Sequence, residues 1–280
     1  NINYIGNIFV NRIKKCFRSL TQKKKKALIS YIVLGDPEKN ITLPLMHALV
    51  ASGSDIIELG IPFSDPTAEG PVIQRAHERA LENGSSLNEA LSLVKEFRES
   101  DAITPVILMG YTNPIERLGY DYFIERATIS GVDGVLTVDL PPEEAVTFNQ
   151  SLKGSGIENI FLLAPTSSQK RQEKVTSMAG GFVYYVSLNG VTGAANLDIV
   201  SVQKHVSNIR SLTNLPVCVG FGIKDGVTAR AVADVSDGVV VGSAIVNKIA
   251  DLAKSKESNP LVYVDAVSVI ITDIRSALDN

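Results

Sequence analysis

The chain has 280 residues, 45% of them hydrophobic and 20% charged, and its formal net charge is −3. This composition is typical of a globular protein with a sizeable core and argues against a disordered chain. The chain has only two cysteines and three histidines, and no metal-ligand spacing connects them, so the sequence predicts no metal and fits a reducing compartment. We recognise no signal peptide and no apolar stretch long enough to cross a bilayer, so a cytoplasmic location is the expectation.

A basic arm precedes the first apolar run. Residues 12–26 carry eight lysines or arginines and no acid, including the run Lys23 to Lys26. A basic arm can bind nucleic acid or an anionic membrane, but one short run before an acidic chain is more typical of a solvated helix face and a linker. We therefore expect a basic helical arm, residues 1–26, that packs on the main unit, residues 27–280. Neither nucleic acid nor a membrane is an expected partner.

Eight short apolar runs rich in β-branched residues follow, separated by segments with apolar residues at helical spacing. Both faces of these runs are apolar, which is typical of strands between a barrel interior and outer helices. An open doubly wound sheet is the alternative, but Gly35-Asp36-Pro37 lacks the GxGxxG fingerprint. The sequence predicts an α/β fold, a single-domain (β/α)8 TIM barrel over residues 27–280. The predicted strands are Ala27 to Leu34, Asp55 to Leu59, Pro105 to Met109, Gly134 to Val138, Ile157 to Leu163, Phe182 to Ser187, Pro216 to Gly220 and Gly238 to Val241.

The second predicted strand and the loop after it hold candidate catalytic carboxyl groups. Glu58 lies in an otherwise apolar strand, where loss of hydration raises a carboxyl pKa and lets the group act as a general acid. A structural glutamate, salt-bridged inside the barrel, is an equally good interpretation of this position. On the loop, Asp65 has the sequence context of a turn or capping residue. Glu69 is open to a role as a base opposite Glu58.

Three glycine clusters follow the sixth, seventh and eighth predicted strands: Gly190 to Ala194, Gly220 to Ile223 and Gly242 to Ala244. Glycine lets backbone N–H groups approach an anion, and the loops after strands seven and eight often form the phosphate site of a barrel. Turns need glycine in any case, but three clusters on neighbouring loops favour phosphate binding. The rings of Tyr31 and Tyr184 fit either core packing or a pocket for a flat aromatic ligand.

Several specific motifs occur in order between about Ala27 and Val246, and with them the chain closely resembles the tryptophan synthase alpha subunit family. The resemblance implies a lyase that cleaves indole-3-glycerol phosphate to indole and glyceraldehyde 3-phosphate without a cofactor or metal of its own. It also implies a beta subunit partner that carries pyridoxal phosphate and uses the indole in tryptophan biosynthesis. The expected assembly is an αββα heterotetramer, with contacts through loops 62–69 and 187–196. The motifs are Leu34 to Pro37, Glu58 to Pro66, Tyr111 to Pro114, Gly190 to Gly193, Gly220 to Ile223 and Gly242 to Ala244.

The resemblance also implies roles for individual residues. Glu58 matches the glutamate expected to protonate the indole ring carbon, and Tyr184 matches an active-site tyrosine. Glu69 stands where the family has an aspartate that takes the indole N–H proton, and glutamate is one methylene longer. A base misplaced by about 1 Å can cost on the order of a hundredfold in rate. The substrate-binding positions are Tyr31, Met109 and Phe221 for the indole pocket, and Gly193, Gly222, Gly242 and Ser243 for the phosphate.

Two alternatives stay open at the level of sequence. The glutamate at position 69 could weaken the chemistry, which would leave a barrel that acts mainly as an activating partner of the beta subunit. The chain could also be a neighbouring phosphate-binding barrel, such as an indoleglycerol phosphate synthase or a sugar-phosphate isomerase. An indoleglycerol phosphate synthase is expected to use a strand lysine as its acid, whereas the predicted strand cores carry Glu58 and no lysine.

Overall fold

The computed structural model describes residues 11–186, 198–220 and 222–280, and its eight parallel strands form a closed barrel. Each strand pairs with the next in chain order, and the last pairs with the first. The predicted single-domain (β/α)8 barrel is confirmed. Predicted strand ends agree within one residue, except that Ser187 lies outside the described residues. The strands are β1 Ala27–Val33, β2 Ile56–Gly60, β3 Val106–Gly110, β4 Gly134–Thr137, β5 Glu158–Leu163, β6 Val183–Val186, β7 Val217–Gly220 and β8 Gly238–Val241.

Helices connect the strands and cover the outside of the barrel. Their apolar residues repeat at helical spacing, and on α4 this places Leu87, Leu91 and Val94 in the outer core. Within the described ranges, no helix is long and apolar enough to cross a membrane. The helices are α1 Arg12–Gln22, α2 Lys39–Ala51, α3 Pro71–Glu82, α4 Leu87–Phe97, α5 Thr112–Leu118, α6 Tyr120–Ser130, α7 Val146–Leu152, α8 Gln169–Met178, α9 Ile199–Arg210, α10 Gly226–Ala233, α11 Ser243–Lys254 and α12 Pro260–Asp279.

Helix α1 packs across the amino-terminal end of the barrel. Its buried side chains Ile13, Phe17 and Leu20 join a cluster of inward-facing strand residues. The basic residues Lys15 and Arg18 of the same helix are exposed, as expected of a solvated helix face. This packing leaves the opposite end, where the strands finish, as the place for a functional site. The division into an arm, residues 1–26, and a barrel, residues 27–280, stays a prediction.

A buried ion-pair network fastens α1 to the barrel wall. The carboxylate of Asp133, just before β4, forms salt bridges with the guanidinium groups of Arg12 at 3.0 Å and Arg98 at 2.7 Å. Its carboxylate also accepts the backbone N–H of Val106 at 2.9 Å. Burial raises the pKa of this carboxyl, and the Val106 N–H and the two guanidinium groups oppose that shift. The position of α1 is therefore set by polar contacts as well as by apolar packing.

Candidate active site

Glu58 lies on β2 beside Tyr31 of β1 and Ile107 of β3. The residue is 1% exposed, and neither carboxyl oxygen has a hydrogen-bond partner among the described residues. Within the same ranges it forms no salt bridge, so the structural interpretation offered by the sequence finds no support there. A buried carboxyl without donors is costly as an anion. Burial, and secondarily the charge of Glu69, raises the pKa of Glu58 to about 8.

Glu69 lies on the loop between β2 and α3 and is partly buried. Burial raises the pKa of its carboxyl to about 7. After burial, its charge is a further cause of the raised pKa values of four groups: Glu58, Tyr31, Tyr111 and Tyr184. The residue before it, Ala68, is hydrogen-bonded to Tyr111 directly after β3, which holds Glu69 close to the mouth of the barrel. The structure therefore brings the two sequence-predicted carboxyl groups together, and each of them retains a proton more readily than in water.

The loop that carries Glu69 is anchored at two points by Tyr111. The Tyr111 hydroxyl accepts the backbone N–H of Ala68 at 3.0 Å, next to Glu69. Its ring stacks on Phe63, with ring centroids 4.6 Å apart and ring planes 19° apart. Gln74 donates to the backbone carbonyl of Glu69 at 2.9 Å. Sequence reasoning assigned no anchoring role to Tyr111 or Gln74, and their only sequence signal is their closeness to the strand end and to the loop.

Two other residues contact this loop. Asp65 is exposed and accepts a hydrogen bond from the Ser64 hydroxyl at 2.6 Å, which fits a turn residue better than a base. His77 on α3 accepts the backbone N–H of Phe63 at 3.1 Å. Sequence reasoning assigned no role to His77, because a single histidine on a helix gives no indication of which groups its ring meets.

Tyr31 and Tyr184 each lie over a glycine of the neighbouring strand. A Cβ on Gly60 would lie 2.8 Å from Cζ of Tyr31, and a Cβ on Gly220 would lie 2.7 Å from Cζ of Tyr184. Glycine is therefore required at both positions for the rings to fit. Burial and the two carboxylates raise the pKa of both phenols well above the usual value, so both stay protonated donors.

The neighbouring Tyr185 points the other way. It lies in the outer core and stacks on His205 at 5.5 Å, whereas Tyr184 packs against the barrel interior. Consecutive residues on a strand point to opposite faces, which accounts for the two different surroundings. Met109, at the end of β3, also packs against the interior cluster and beside Tyr31. The inward-facing side chains of β1, β3 and β6 thus surround Glu58 with rings and a thioether.

Three of the predicted phosphate residues, Gly222, Gly242 and Ser243, follow the described strands β7 and β8. Gly222 is exposed after β7 and has a φ of +71°, a backbone conformation that favours glycine. Gly242 precedes Ser243, the first residue of α11, and without a side chain it leaves the first N–H groups of that helix uncapped. By contrast, the N-terminus of α10 is closed by a capping box between Asp225 and Thr228. An uncapped helix N-terminus at the rim of a barrel is suited to an anion.

Phe221 and the predicted contact loop 187–196, which includes Gly193, lie outside the described residues. In the ranges that are described, no three His, Cys, Asp or Glu residues come together as metal ligands. Two protonatable carboxyls, neutral phenols and an open helix N-terminus at the mouth are features expected of a (β/α)8-barrel enzyme suited to acid–base chemistry on a small anionic substrate.

Comparison with known proteins gives the family. The sequence model described as "Tryptophan synthase alpha chain" matches residues 17–269. Relatives with that name from Nitrosococcus oceani and Cupriavidus pinatubonensis are 52% and 53% identical over 270 residues, covering 96% of this chain and 98% and 100% of theirs. The chain therefore belongs to the tryptophan synthase alpha chain family, as the motifs of the sequence indicated. Its reaction is that of a lyase.

Solved structures agree with this assignment. Tryptophan synthase subunit alpha from Legionella pneumophila is 43% identical with a TM-score of 0.89, covering 96% of this chain and 99% of that one. Tryptophan synthase from M. tuberculosis, in an aminoacrylate-bound form, is 30% identical with a TM-score of 0.84, covering the same shares. Family membership over nearly the whole chain argues against the neighbouring phosphate-binding barrels considered from the sequence.

Proposed function

We propose that the chain cleaves indole-3-glycerol phosphate with Glu58 as general acid and Glu69 as general base. The observation that carries this proposal is the pair of partly or fully buried carboxyls whose pKa values are raised to about 8 and about 7. Between these two values Glu58 holds its proton while Glu69 is ionised. One carboxyl can therefore donate while the other accepts at neutral pH, as acid–base catalysis requires.

In the proposed reaction, protonated Glu58 donates a proton to the ring carbon that bears the glycerol chain. Positive charge then develops at the ring nitrogen, and Glu69 stabilises it by taking the N–H proton. The carbon–carbon bond breaks, and its electron pair returns to the ring as the nitrogen regains its proton from Glu69. The carbinol hydroxyl becomes the aldehyde of glyceraldehyde 3-phosphate, and its proton goes to the Glu58 carboxylate. Both carboxyls end the cycle as they began it.

The indole ring and the phosphate group of the substrate bind to different parts of the site. Tyr31, Met109 and Tyr184 offer an apolar, ring-lined wall beside Glu58 for the indole. The uncapped start of α11 at Gly242 and Ser243, with Gly222 of the preceding loop, receives the phosphate. From the sequence we add Phe221 to the indole pocket and Gly193 to the phosphate site. No metal or cofactor takes part in these steps.

The proposed partner is a tryptophan synthase beta subunit, with pyridoxal phosphate in that subunit, in an αββα assembly. Loop 62–69 supports this, because its outer side is exposed at Asp65 while its inner side carries Glu69. A surface cleft lined by Pro62 to Asp65 and by Asn113 of α5 lies on that outer side. Contact there would act directly on the position of the base. Loop 187–196 is the second proposed contact, and the proposed location is cytoplasmic.

The experiment compares indole release from indole-3-glycerol phosphate by the parent, Glu69→Asp and Glu69→Gln, each with and without a beta subunit. We expect the parent and Glu69→Asp to be active within about tenfold of each other. Glu69→Gln should lose on the order of a hundredfold or more, because an amide cannot accept the proton. A silent parent beside an active Glu69→Asp would contradict the proposal and support an activating subunit without its own chemistry.

A further inference from the structure

His77 is a buried titratable group that the proposed mechanism leaves unused. It lies on α3 and is 1% exposed. Within the described part of the chain, each ring nitrogen has one polar neighbour: Nδ1 lies 3.1 Å from the backbone nitrogen of Phe63, and Nε2 lies 3.4 Å from the Tyr31 hydroxyl. The imidazole therefore connects the loop that carries Glu69 with strand β1, which carries Tyr31.

The contact with Phe63 fixes the position of the ring proton. A backbone N–H only donates, so Nδ1 of His77 accepts and carries no proton. Burial lowers the pKa of His77 to about 4, which keeps the ring neutral at working pH. The single ring proton is therefore on Nε2, and Nε2–H donates to the Tyr31 oxygen. Since that oxygen is then the acceptor, the Tyr31 hydroxyl proton is directed to another group.

The groups around the Tyr31 hydroxyl identify that acceptor. Besides burial, the charges of Glu69 and then Glu58 raise the pKa of Tyr31, followed by the phenols of Tyr111 and Tyr184. The phenol thus stays protonated. The Gly60 backbone lies against the ring on one side. Glu58 is the cross-strand neighbour of Tyr31, and both of its carboxyl oxygens lack a hydrogen-bond partner among the described residues, so the carboxyl groups on this side of the barrel are the acceptors available to the hydroxyl proton.

We propose that His77 is a positioning residue whose Nε2–H holds the Tyr31 hydroxyl as a hydrogen-bond donor toward the space shared by Glu58 and Glu69. This inference rests on the proposed function and deepens it. A donor aimed at a carboxylate favours its ionised form. The His77–Tyr31 pair therefore helps Glu69 to stay ionised as the base while Glu58 keeps its proton.

The first test is a double-mutant cycle on indole release. His77→Asn keeps an acceptor close to the Nδ1 position and removes the Nε2–H donor. We expect His77→Asn and Tyr31→Phe each to lower kcat about three- to tenfold with a smaller change in KM. The acid limb of the pH profile should move up by roughly half a unit in both. The double variant should lose no more than either single variant.

His77→Gln is the conservative control, since its amide can reach the Nε2 position and donate to Tyr31. It should recover part of the rate lost in His77→Asn and return the acid limb toward the parent. Losses that multiply in the double variant, or an unmoved acid limb, would overturn the proposal. If Glu58→Gln were as fast as the parent, the proposed function would fail instead, which keeps the two failures distinguishable.

A second test reads the tautomer without any turnover. Nitrogen NMR of the parent labelled at its three histidines reports the protonation of each ring nitrogen, and the missing signals of His77→Asn assign His77. We expect a neutral ring with the proton on Nε2 at every pH from about 5.5 to about 9. A proton on Nδ1, or a cationic ring near neutral pH, would overturn the inference even if Tyr31→Phe failed to fold.

Discussion

At the residue scale, Glu58 and Glu69 differ in how they are held. Glu58 is on a strand, almost completely buried and without a hydrogen-bond donor among the described residues. Glu69 is on a loop and keeps some contact with solvent. The charge of Glu69 helps to raise the pKa of Glu58, so Glu58 is harder to ionise once Glu69 is ionised. One shared negative charge is the stable state of the pair near neutrality.

This pair predicts a bell-shaped pH profile. Glu69 must be ionised to act as base, so kcat/KM should rise as the pH increases through about 7. Glu58 must be protonated to act as acid, so the rate should fall as the pH increases through about 8. Indole release measured from about pH 6 to about pH 9 checks both limbs. A flat profile across this range would contradict the assignment of the two carboxyls.

The charge coupling also determines what Glu69→Asp does to this profile. Aspartate keeps the negative charge, so the basic limb, which reports Glu58, should stay near its parent position. Glu69→Gln removes that charge, so the pKa of Glu58 should fall and the residual basic limb should move to lower pH. Glu69→Asp therefore tests the length of the side chain that carries the base, and Glu69→Gln tests the effect of its charge on the pKa of Glu58.

At the scale of elements, the loop between β2 and α3 is the one on which activity depends most. Tyr111 holds it by a hydrogen bond to Ala68 and by stacking on Phe63. Tyr111→Phe keeps the stacking and removes the hydrogen bond next to Glu69. We expect kcat to fall about three- to tenfold, the equivalent of one net hydrogen bond, with little change in unfolding free energy.

The matched control for that variant is Tyr122→Phe on α6, where the residue is 50% exposed and outside the site. Tyr122→Phe also removes one phenolic hydroxyl, but at an exposed position, and should leave the rate of indole release unchanged. Equal rates for Tyr111→Phe and the parent would show that the loop does not need this anchor. Equal losses in both variants would show an effect unrelated to the loop.

The strands could be predicted closely because both of their faces are apolar, and the βα alternation limits the fold to a few choices. The residues that anchor the loop between β2 and α3 could not be predicted from the sequence. Tyr111 was visible as a ring near a strand end, but its bond to Ala68 depends on the path of a loop that no periodicity describes. Likewise, the glycine clusters predicted an anion site, while the uncapped start of α11 and the capped start of α10 became distinguishable only in the structure.

At the scale of the whole molecule, the barrel has a closed end and an open end. Helix α1 fills the amino-terminal end with Ile13 and Phe17, and Ile13 also packs against Gly134 and Gly181. The sequence indicated a solvated basic helix but not its buried face, since the apolar residues are few among lysines and arginines. What they pack against is contributed by strands far along the chain, such as β4 and β6.

We predict that α1 contributes strongly to stability. Ile13 is fully buried, so Ile13→Ala should lower the free energy of unfolding by about 2–5 kcal/mol, through lost burial and an unfilled cavity. Urea denaturation measures this, with Lys15→Ala on the exposed face of the same helix as control. A change below about 0.5 kcal/mol in Ile13→Ala would place α1 outside the cooperative unit.

The central claim is that a buried acid, Glu58, makes the carbon–carbon bond breakable. Indole release by Glu58→Gln tests it most directly, beside the parent and the surface control Glu96→Gln on α4. We predict that the control equals the parent and that Glu58→Gln loses about a hundredfold to ten-thousandfold, because the amide cannot supply the proton. Folded Glu58→Gln that releases indole as fast as the parent would contradict the account.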